Sequence, residues 1–170
     1  ALRSFYSYLH REKLIDSDLM KAVSSPKLEQ RLPTFLTQDE ARRLVESPDL
    51  STPQGLRDRA FLEILYASGL RVSELVHLDM SHINLDSKEI RVWGKGSKER
   101  MVLMGQPAVQ AVEAYLEEGR PKLVGRARGS ALFINRYGRR LSQRLVQLLV
   151  ERYARRVGIA RKVHPPLLRH

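Results

Sequence analysis

The 170-residue chain contains no cysteine. This absence excludes a disulfide framework, a catalytic thiol and a cysteine-ligated zinc site. The sequence also lacks the uninterrupted run of about 18 apolar residues that a membrane-spanning helix requires. Its first residues, Ala1–Ser4, do not form the apolar stretch of a secretory signal peptide. Together these features favour a cytoplasmic protein, and we expect no membrane partner.

Acidic residues are scarce in the last third of the chain. Residues 119–170 contain 14 Lys or Arg and one acidic residue, Glu151, whereas residues 1–118 contain 16 basic and 18 acidic residues. The net charge of +11 therefore comes entirely from the C-terminal segment. Because each phosphate neutralised by Lys or Arg releases counterions, nucleic acid is the commonest partner of such a segment. An acidic membrane surface, ribosomal RNA and simple solubility are the alternatives.

The apolar pattern predicts a mainly α-helical chain with a small antiparallel β-sheet near the middle, an α+β fold. Apolar residues make up 42% of the sequence, enough for a core. Helices are predicted where apolar residues recur every three or four positions: 2–14, 37–47, 54–68, 70–78, 107–118 and 142–157. The period changes to two in Glu89–Trp93 and Arg100–Leu103 around the turn Gly94–Lys98, which predicts a hairpin, with a short third strand near 83–85. Another helix is expected from Pro165.

Two familiar kinds of site are excluded. Glu89 stands where a nucleotide-binding P-loop needs its first glycine, and the turn at Gly94–Ser97 joins two strands instead of opening a helix. The histidine pairs, His77 with His82 and His164 with His170, have no supporting carboxylate cluster for a metal ion. We therefore expect neither a metal nor an organic cofactor.

Three basic residues lie in distinctive positions. Arg71 follows Gly69 at a predicted helix start, Lys95 lies at the tip of the predicted hairpin, and Arg169 follows two prolines near the end of the sequence. Two of them have an ordinary interpretation as well. Arg71 can pair with Glu74 three residues later on the helix, and Lys95 can be a turn residue that favours solubility.

Two adjacent segments carry a family resemblance. Tyr66–Leu75 (YASGLRVSEL), followed by Gly94–Arg100 (GKGSKER), resembles the motifs of tyrosine recombinases, most closely those of the Xer type, and the resemblance extends over nearly the whole chain. It implies that residues 1–15 are the last helix of an N-terminal core-binding domain and that residues 16–36 are an interdomain linker. Residues 37–170 are then a catalytic domain that lacks its C-terminal part.

The resemblance also implies a chemistry. In this family two arginines and a histidine bind the scissile DNA phosphate, a lysine is the general acid, and a tyrosine attacks to form a 3′-phosphotyrosine. The motifs place Arg71, Lys95 and Arg169 in this site. Guanidinium groups match the negative charge that develops on the phosphate oxygens, and nearby cations lower the pKa of a lysine. Further DNA contacts are expected from Lys98, Arg139, Arg140 and Arg144.

The sequence departs from the family pattern at two points. Pro166 stands where the family usually has its catalytic histidine, and none of the six tyrosines matches the motif of the nucleophile. The resemblance therefore implies a fragment of a DNA breaking-and-rejoining enzyme, and we expect this fragment to be inactive in the sense that it forms no covalent DNA adduct. The implied partners are double-stranded DNA and other recombinase subunits in a homo- or hetero-tetramer, and a Xer-type parent implies chromosome-dimer resolution.

Three other interpretations stay open. A phage or transposon integrase fragment would show closely similar motifs. A non-catalytic DNA-binding module fits the proline at position 166 and the missing nucleophile. An RNA-binding protein is the third, and the single tryptophan, Trp93, counts against it because RNA recognition relies on stacking of bases on aromatic side chains.

Overall fold

The computed structural model of the chain describes residues 2–17, 23, 35–94, 99–125 and 129–168. The chain divides into two compact units, Ala1–Pro33 and Thr34–His170. Within the described ranges, no helix combines the length and the apolar character needed to cross a membrane.

The first unit contains helix α1, which spans Leu2–Arg11. It carries the exposed apolar side chains of Leu2, Phe5 and Tyr8. The predicted helix over residues 2–14 is therefore confirmed, but it ends earlier, in a turn at Glu12 and Lys13. Most of the predicted linker, residues 16–36, lies outside the described residues.

The described part of the second unit is helical with one antiparallel sheet. Its helices are α2 (Gln38–Glu46), α3 (Pro53–Ser68), α4 (Val72–Val76), α5 (Gln106–Ala114), α6 (Arg120–Val124) and α7 (Gln143–Arg156). Its strands are β1 (Ile83–Asn84), β2 (Glu89–Trp93) and β3 (Glu99–Leu103), in the order β1-β2-β3. Short 3₁₀ turns occur at Met80–His82 and Pro165–Leu168, and a π-helical turn at Tyr115–Gly119. The predicted fold class is confirmed.

Helix α3 is the centre of the second unit. Its apolar side chains are buried on several sides, since Phe61, Leu62, Ile64 and Leu65 are all inaccessible to solvent. A helix that is apolar around most of its circumference must be covered by neighbours on most sides. Helices α2, α4 and α5, the π turn and the turn at Pro165–Leu168 all pack against it. Each fully buried side chain of this size contributes roughly 1.5–3 kcal/mol.

The start of α2 is fixed by the capping box that the sequence predicts. The amide of Glu40 donates to Oγ1 of Thr37 (3.2 Å), and the amide of Thr37 donates to Oε2 of Glu40 (2.8 Å). Arg161, from the segment after α7, binds both oxygens of the same Glu40 carboxylate and donates to the carbonyl of Phe35 (3.0 Å). Hydrogen bonds from Arg161 and from Thr37 lower the pKa of Glu40 to about 2.

The register of the sheet decides which side chains of β3 face the core. Ile90 pairs with Val102, and Val92 pairs with Arg100. Ile90 and Val92 are buried. Because residues directly opposite each other on antiparallel strands share a face, Arg100 lies on the side of β3 that faces the core. Both predicted strands are confirmed. Burial alternates along β2, whereas in β3 only Val102 is partly buried. The predicted turn, residues 95–98, lies outside the described residues.

One helix prediction stopped too early. The predicted helix over 107–118 covers α5 and most of the π turn, and the helical path continues beyond it into α6, which was not predicted. Gly119 is buried at the end of the π turn, where a Cβ would lie 3.1 Å from Cβ of Leu56 and 3.2 Å from the carbonyl oxygen of Pro53. The wider turn therefore brings a residue without a side chain into contact with α3.

Two other helix predictions were wrong in extent. The helix predicted over 70–78 begins only at Val72 and ends at Val76, because Gly69 in the left-handed conformation (φ 61°) ends α3 and the chain is extended at Arg71. Over the described residues, the helix expected from Pro165 is the 3₁₀ turn Pro165–Leu168.

Candidate active site

Arg71 lies at the N-cap position of α4. Gly69 ends α3, the buried Leu70 anchors the connection in the core, and Arg71 is extended (φ −74°, ψ 150°) just before the first residue of α4. Its side chain is 60% exposed. The sequence Ser-Gly-Leu-Arg therefore places a solvent-facing guanidinium directly after the central helix of the fold.

Glu74 binds Arg71 through both the backbone and the side chain. Oε2 of Glu74 accepts a hydrogen bond from the Arg71 amide (2.8 Å), and Oε1 accepts one from Nη1 of Arg71 (3.2 Å). The pairing of these two residues, predicted from their spacing on the helix, is confirmed. The Glu74 side chain is only 7% exposed, so an exposed guanidinium is attached to a nearly buried carboxylate.

The Glu74 carboxylate has a second cationic partner, Arg100 on β3. Nη1 of Arg100 donates to Oε1 (3.0 Å) and Nη2 donates to Oε2 (2.9 Å). Burial of the carboxylate opposes its ionisation, but the hydrogen bonds from Arg100 and Arg71 outweigh burial and lower the pKa of Glu74 to about 2. Glu74 therefore carries its negative charge throughout the neutral range.

The other two predicted catalytic residues, Lys95 and Arg169, lie outside the described residues, as does Lys98. The segments next to them are described. Strand β3, which begins four positions after Lys95 in the sequence, contacts α4 through Arg100. The 3₁₀ turn that precedes Arg169 packs against α3. The convergence of Arg71, Lys95 and Arg169 on one phosphate stays a prediction.

Two of the predicted DNA-contacting arginines are exposed and one is bound within the fold. Arg139 and Arg144 are exposed, and Arg144 lies in the first turn of α7, which Ser142 caps. Arg140 donates from Nη1 to the carbonyls of Val76 (2.9 Å) and Leu78 (3.0 Å), and Nη2 binds the carboxylate of Asp79. The described contacts of Arg140 thus stabilise the chain just after α4.

The region of the expected histidine holds no strong acid–base pair among the described residues. Pro166 is exposed on the 3₁₀ turn, and Nδ1 of His164 lies 3.8 Å from Oε1 of Glu151. No group of three or more His, Asp or Glu side chains able to bind a metal ion occurs in the described part of the chain.

Sequence reasoning missed the importance of Arg100. A signal was present, because period-two alternation with Val102 places position 100 on the core-facing side of β3, where an arginine that stays 41% exposed can still bind a carboxylate partner. What the pattern did not reveal was that this partner is Glu74, 26 positions earlier in the chain.

A model of the phage integrase family matches residues 34–170. The chain belongs to the phage integrase family. The resemblance stated from the motifs around Arg71 and Lys95 is thereby confirmed.

Among curated members of this family, the tyrosine recombinase XerC of Pelotomaculum thermopropionicum is 51% identical over 174 aligned residues, which cover 100% of this chain and 57% of that protein. Two solved structures share the fold. The XerA recombinase has a TM-score of 0.72 at 26% identity, covering 99% of this chain and 65% of that one. The XerH recombinase bound to palindromic difH substrate, in a post-cleavage complex, has a TM-score of 0.68 at 26% identity, covering 82% and 41%. The chain thus spans 57% of the length of its XerC relative.

Proposed function

We propose that this chain provides phosphate-binding residues of a Xer-type site-specific recombinase that cuts and rejoins double-stranded DNA in the cytoplasm. The observation that carries the proposal is the exposed guanidinium of Arg71, attached to the ionised and nearly buried carboxylate of Glu74. Family membership and the recombinases XerC and XerH support it. We assign residues 1–15 to a core-binding domain, 16–36 to a linker and 37–170 to the catalytic domain.

In the proposed reaction a tyrosine phenolate oxygen attacks the phosphorus of one phosphodiester. The bond to the 5′ oxygen breaks, that oxygen takes a proton from Lys95, and a 3′-phosphotyrosine forms. Arg71 and Arg169 bind the non-bridging oxygens, on which negative charge increases in the transition state. Attack by the 5′-hydroxyl of another strand then releases the tyrosine and restores a phosphodiester, so the bond energy is conserved without ATP.

We assign the nucleophile to none of the six tyrosines of this chain. The Tyr115 hydroxyl donates to the carbonyl of Leu132 (3.1 Å), and burial raises its pKa to about 12. The Tyr153 hydroxyl donates to Asp58, and burial raises its pKa as well. Both hydroxyls form hydrogen bonds within the fold, and their raised pKa values disfavour the phenolate near neutral pH.

The DNA-facing surface that we propose includes Arg139 and the exposed side of α7. Arg144, Leu148, Arg152 and Arg155 are exposed along this helix, at spacings of three or four residues that place them on one side. A row of arginines on one side of a helix suits a duplex backbone, and the excess of positive charge in residues 119–170 agrees with it. The partners of the complete recombinase are then duplex DNA and further recombinase subunits, assembled as a tetramer that resolves chromosome dimers.

Duplex binding measured against salt concentration tests the proposal. The logarithm of the association constant should fall with the logarithm of salt concentration, by about 0.9 for each phosphate contacted. Arg71→Met should reduce this slope by about 0.9, whereas Arg42→Met, which removes the same charge from an exposed position on α2, should leave it unchanged. Equal slopes for wild type and Arg71→Met would contradict the proposal that Arg71 contacts a DNA phosphate. Competition with structured RNA tests the alternative that the chain is an RNA-binding protein. We expect RNA to displace the duplex only weakly.

A non-catalytic DNA-binding module is the second candidate, and the exposed proline at position 166 favours it. Proline has no side-chain group that donates to a phosphate oxygen or accepts a proton. The chain should bind a nicked suicide duplex without forming a covalent complex. A protein–DNA band that survives SDS would show instead that a tyrosine of this chain attacks the phosphate.

A further inference from the structure

The strongest unassigned feature near the proposed phosphate site is Arg100. The motif comparison gives no role to this residue, yet its guanidinium contacts both oxygens of the Glu74 carboxylate, at 3.0 and 2.9 Å. Two parallel hydrogen bonds between a guanidinium and a carboxylate fix the mutual orientation of the two groups more firmly than a single contact does.

Arg100 reaches Glu74 because of the sheet register. It lies opposite Val92 on the core-facing side of β3, and Glu74 lies in the first turn of α4. The contact therefore joins a strand to a helix across 26 positions of sequence. It is a tertiary contact and is separate from the hydrogen bonds that cap α4.

The two oxygens of Glu74 are shared by four donors. Besides the two nitrogens of Arg100, Oε1 accepts Nη1 of Arg71 at 3.2 Å and Oε2 accepts the Arg71 amide at 2.8 Å. A carboxylate with 7% exposure strongly favours cationic partners, because an unpaired charge in that environment is costly. Among the described residues, Arg71 is the other cation that already contacts this carboxylate, so without Arg100 its guanidinium would be drawn to both oxygens.

We infer that Arg100 is a positioning residue that neutralises Glu74, so that only one nitrogen of the Arg71 guanidinium binds this carboxylate and its remaining donors are presented to a DNA phosphate. The inference rests on the proposed function, in which Arg71 contacts the phosphodiester. It assigns Arg100 no phosphate contact of its own. Two experiments distinguish a positioning role of Arg100 from a direct phosphate contact.

The first experiment uses the chain without DNA. Carboxyl and guanidinium NMR signals of Glu74 and Arg71 are followed against pH in wild type and Arg100→Met. The variant should raise the pKa of Glu74 from about 2 toward 4.5 and change the Nε–H signal of Arg71. Arg91→Met removes the same charge from β2, where Arg91 pairs with Glu99 at 3.2 Å, and should alter neither signal. Unchanged Glu74 and Arg71 signals in Arg100→Met overturn the inference, whatever DNA binding shows.

The second experiment is a double-mutant cycle in duplex binding against salt. Arg71→Met and Arg100→Met should each reduce the salt slope by about 0.9, and the double variant should lose no more than either single variant. A double variant that loses about twice as much identifies Arg100 as an independent phosphate contact and overturns the inference while leaving the proposed function intact. If Arg71→Met leaves the slope unchanged, the proposed function fails, and the NMR experiment still decides whether Arg100 positions Arg71.

A second variant is used if Arg100→Met does not fold. Circular dichroism first establishes whether Arg100→Met is folded. If it is not, Arg100→Lys takes its place in both experiments, because lysine keeps the charge but cannot form two parallel hydrogen bonds to the carboxylate. The same directions of change are expected with smaller amplitude, and wild-type signals together with a wild-type slope contradict the positioning role.

Discussion

The hydroxyl of Tyr153 on α7 donates a hydrogen bond of 2.7 Å to Oδ2 of Asp58 on α3. The other oxygen of Asp58 accepts Nε and Nη2 of Arg57 at 2.8 and 2.6 Å, and Nη1 of Arg57 donates to the carbonyl of Ile134 (3.0 Å). Asp58 is only 1% exposed. Burial raises its pKa, against the opposing effects of Arg57 and Tyr153. One buried network therefore joins α3, α7 and the segment that precedes α7.

Removing the Tyr153 hydroxyl should destabilise the second unit. Tyr153→Phe leaves a buried oxygen of Asp58 without this donor, so we expect the free energy of unfolding to fall by about 1–3 kcal/mol. Urea denaturation followed by circular dichroism measures it. Tyr137→Phe removes a hydroxyl from a side chain that is 67% exposed and is the control, with an expected change within about 0.5 kcal/mol. Equal losses in the two variants would contradict the network.

Gly55 should tolerate no side chain. A Cβ at this position would lie 1.8 Å from the backbone oxygen of Asp49, a distance that only a backbone shift relieves. Gly55→Ala is expected to lower the free energy of unfolding by about 1–3 kcal/mol or more. The matched variant Gly129→Ala adds the same methyl where no atom lies within 4 Å and should change stability little. Wild-type stability of Gly55→Ala would show that the Asp49 turn is not packed as described.

Arg139 and Arg140 are neighbours in sequence with different expected roles. Arg140→Met removes donors to the carbonyls of Val76 and Leu78 and should lower the unfolding midpoint. Arg139→Met, at an exposed position, should leave the midpoint nearly unchanged and reduce the salt slope of DNA binding by about 0.9. Thermal unfolding and duplex titration of both variants check this, and the reverse assignment of effects would refute it.

Acid should destabilise the fold partly through Glu74. Its pKa is about 2 in the folded chain against an ordinary value of 4.5, so its stabilising contribution is complete above about pH 4.5 and is lost as the pH falls toward 2. Urea unfolding at a series of pH values should therefore show a shallower dependence for Glu74→Gln than for wild type between pH 5 and pH 2. Glu117→Gln, at an exposed position of the π turn, should keep the wild-type dependence. Identical profiles for wild type and Glu74→Gln would contradict the ion pairs at Glu74.

Local sequence signals predicted the local parts of the fold. The spacing of Thr37 and Glu40 predicted the start of α2, and alternation predicted β2 and β3, because capping and strand pairing depend on residues close together in the chain. The π turn was not predicted, and its last residue, Gly119, lies so close to α3 that a Cβ there would be 3.1 Å from Cβ of Leu56. No local periodicity contains that information.

The candidate site likewise contains residues that the sequence identified and residues whose contacts only the tertiary structure reveals. The motif identified Arg71 and, by spacing, its pairing with Glu74. The charge of Arg140 suggested a DNA contact, but its partners are backbone carbonyls more than 60 positions away, which only the tertiary structure reveals. The roles of Lys95 and Arg169 stay predictions from the motif.

The contacts of Arg161 have a mechanical consequence. One guanidinium bridges the backbone at Phe35 and the Glu40 carboxylate at the start of α2, while its own backbone leads through Val163 to the turn at Pro165–Leu168. The start of the second unit is thus held by a side chain 126 positions later in the sequence. A shift of the segment after α7 would therefore reach the start of α2 directly through this guanidinium, without passing through the helices between them.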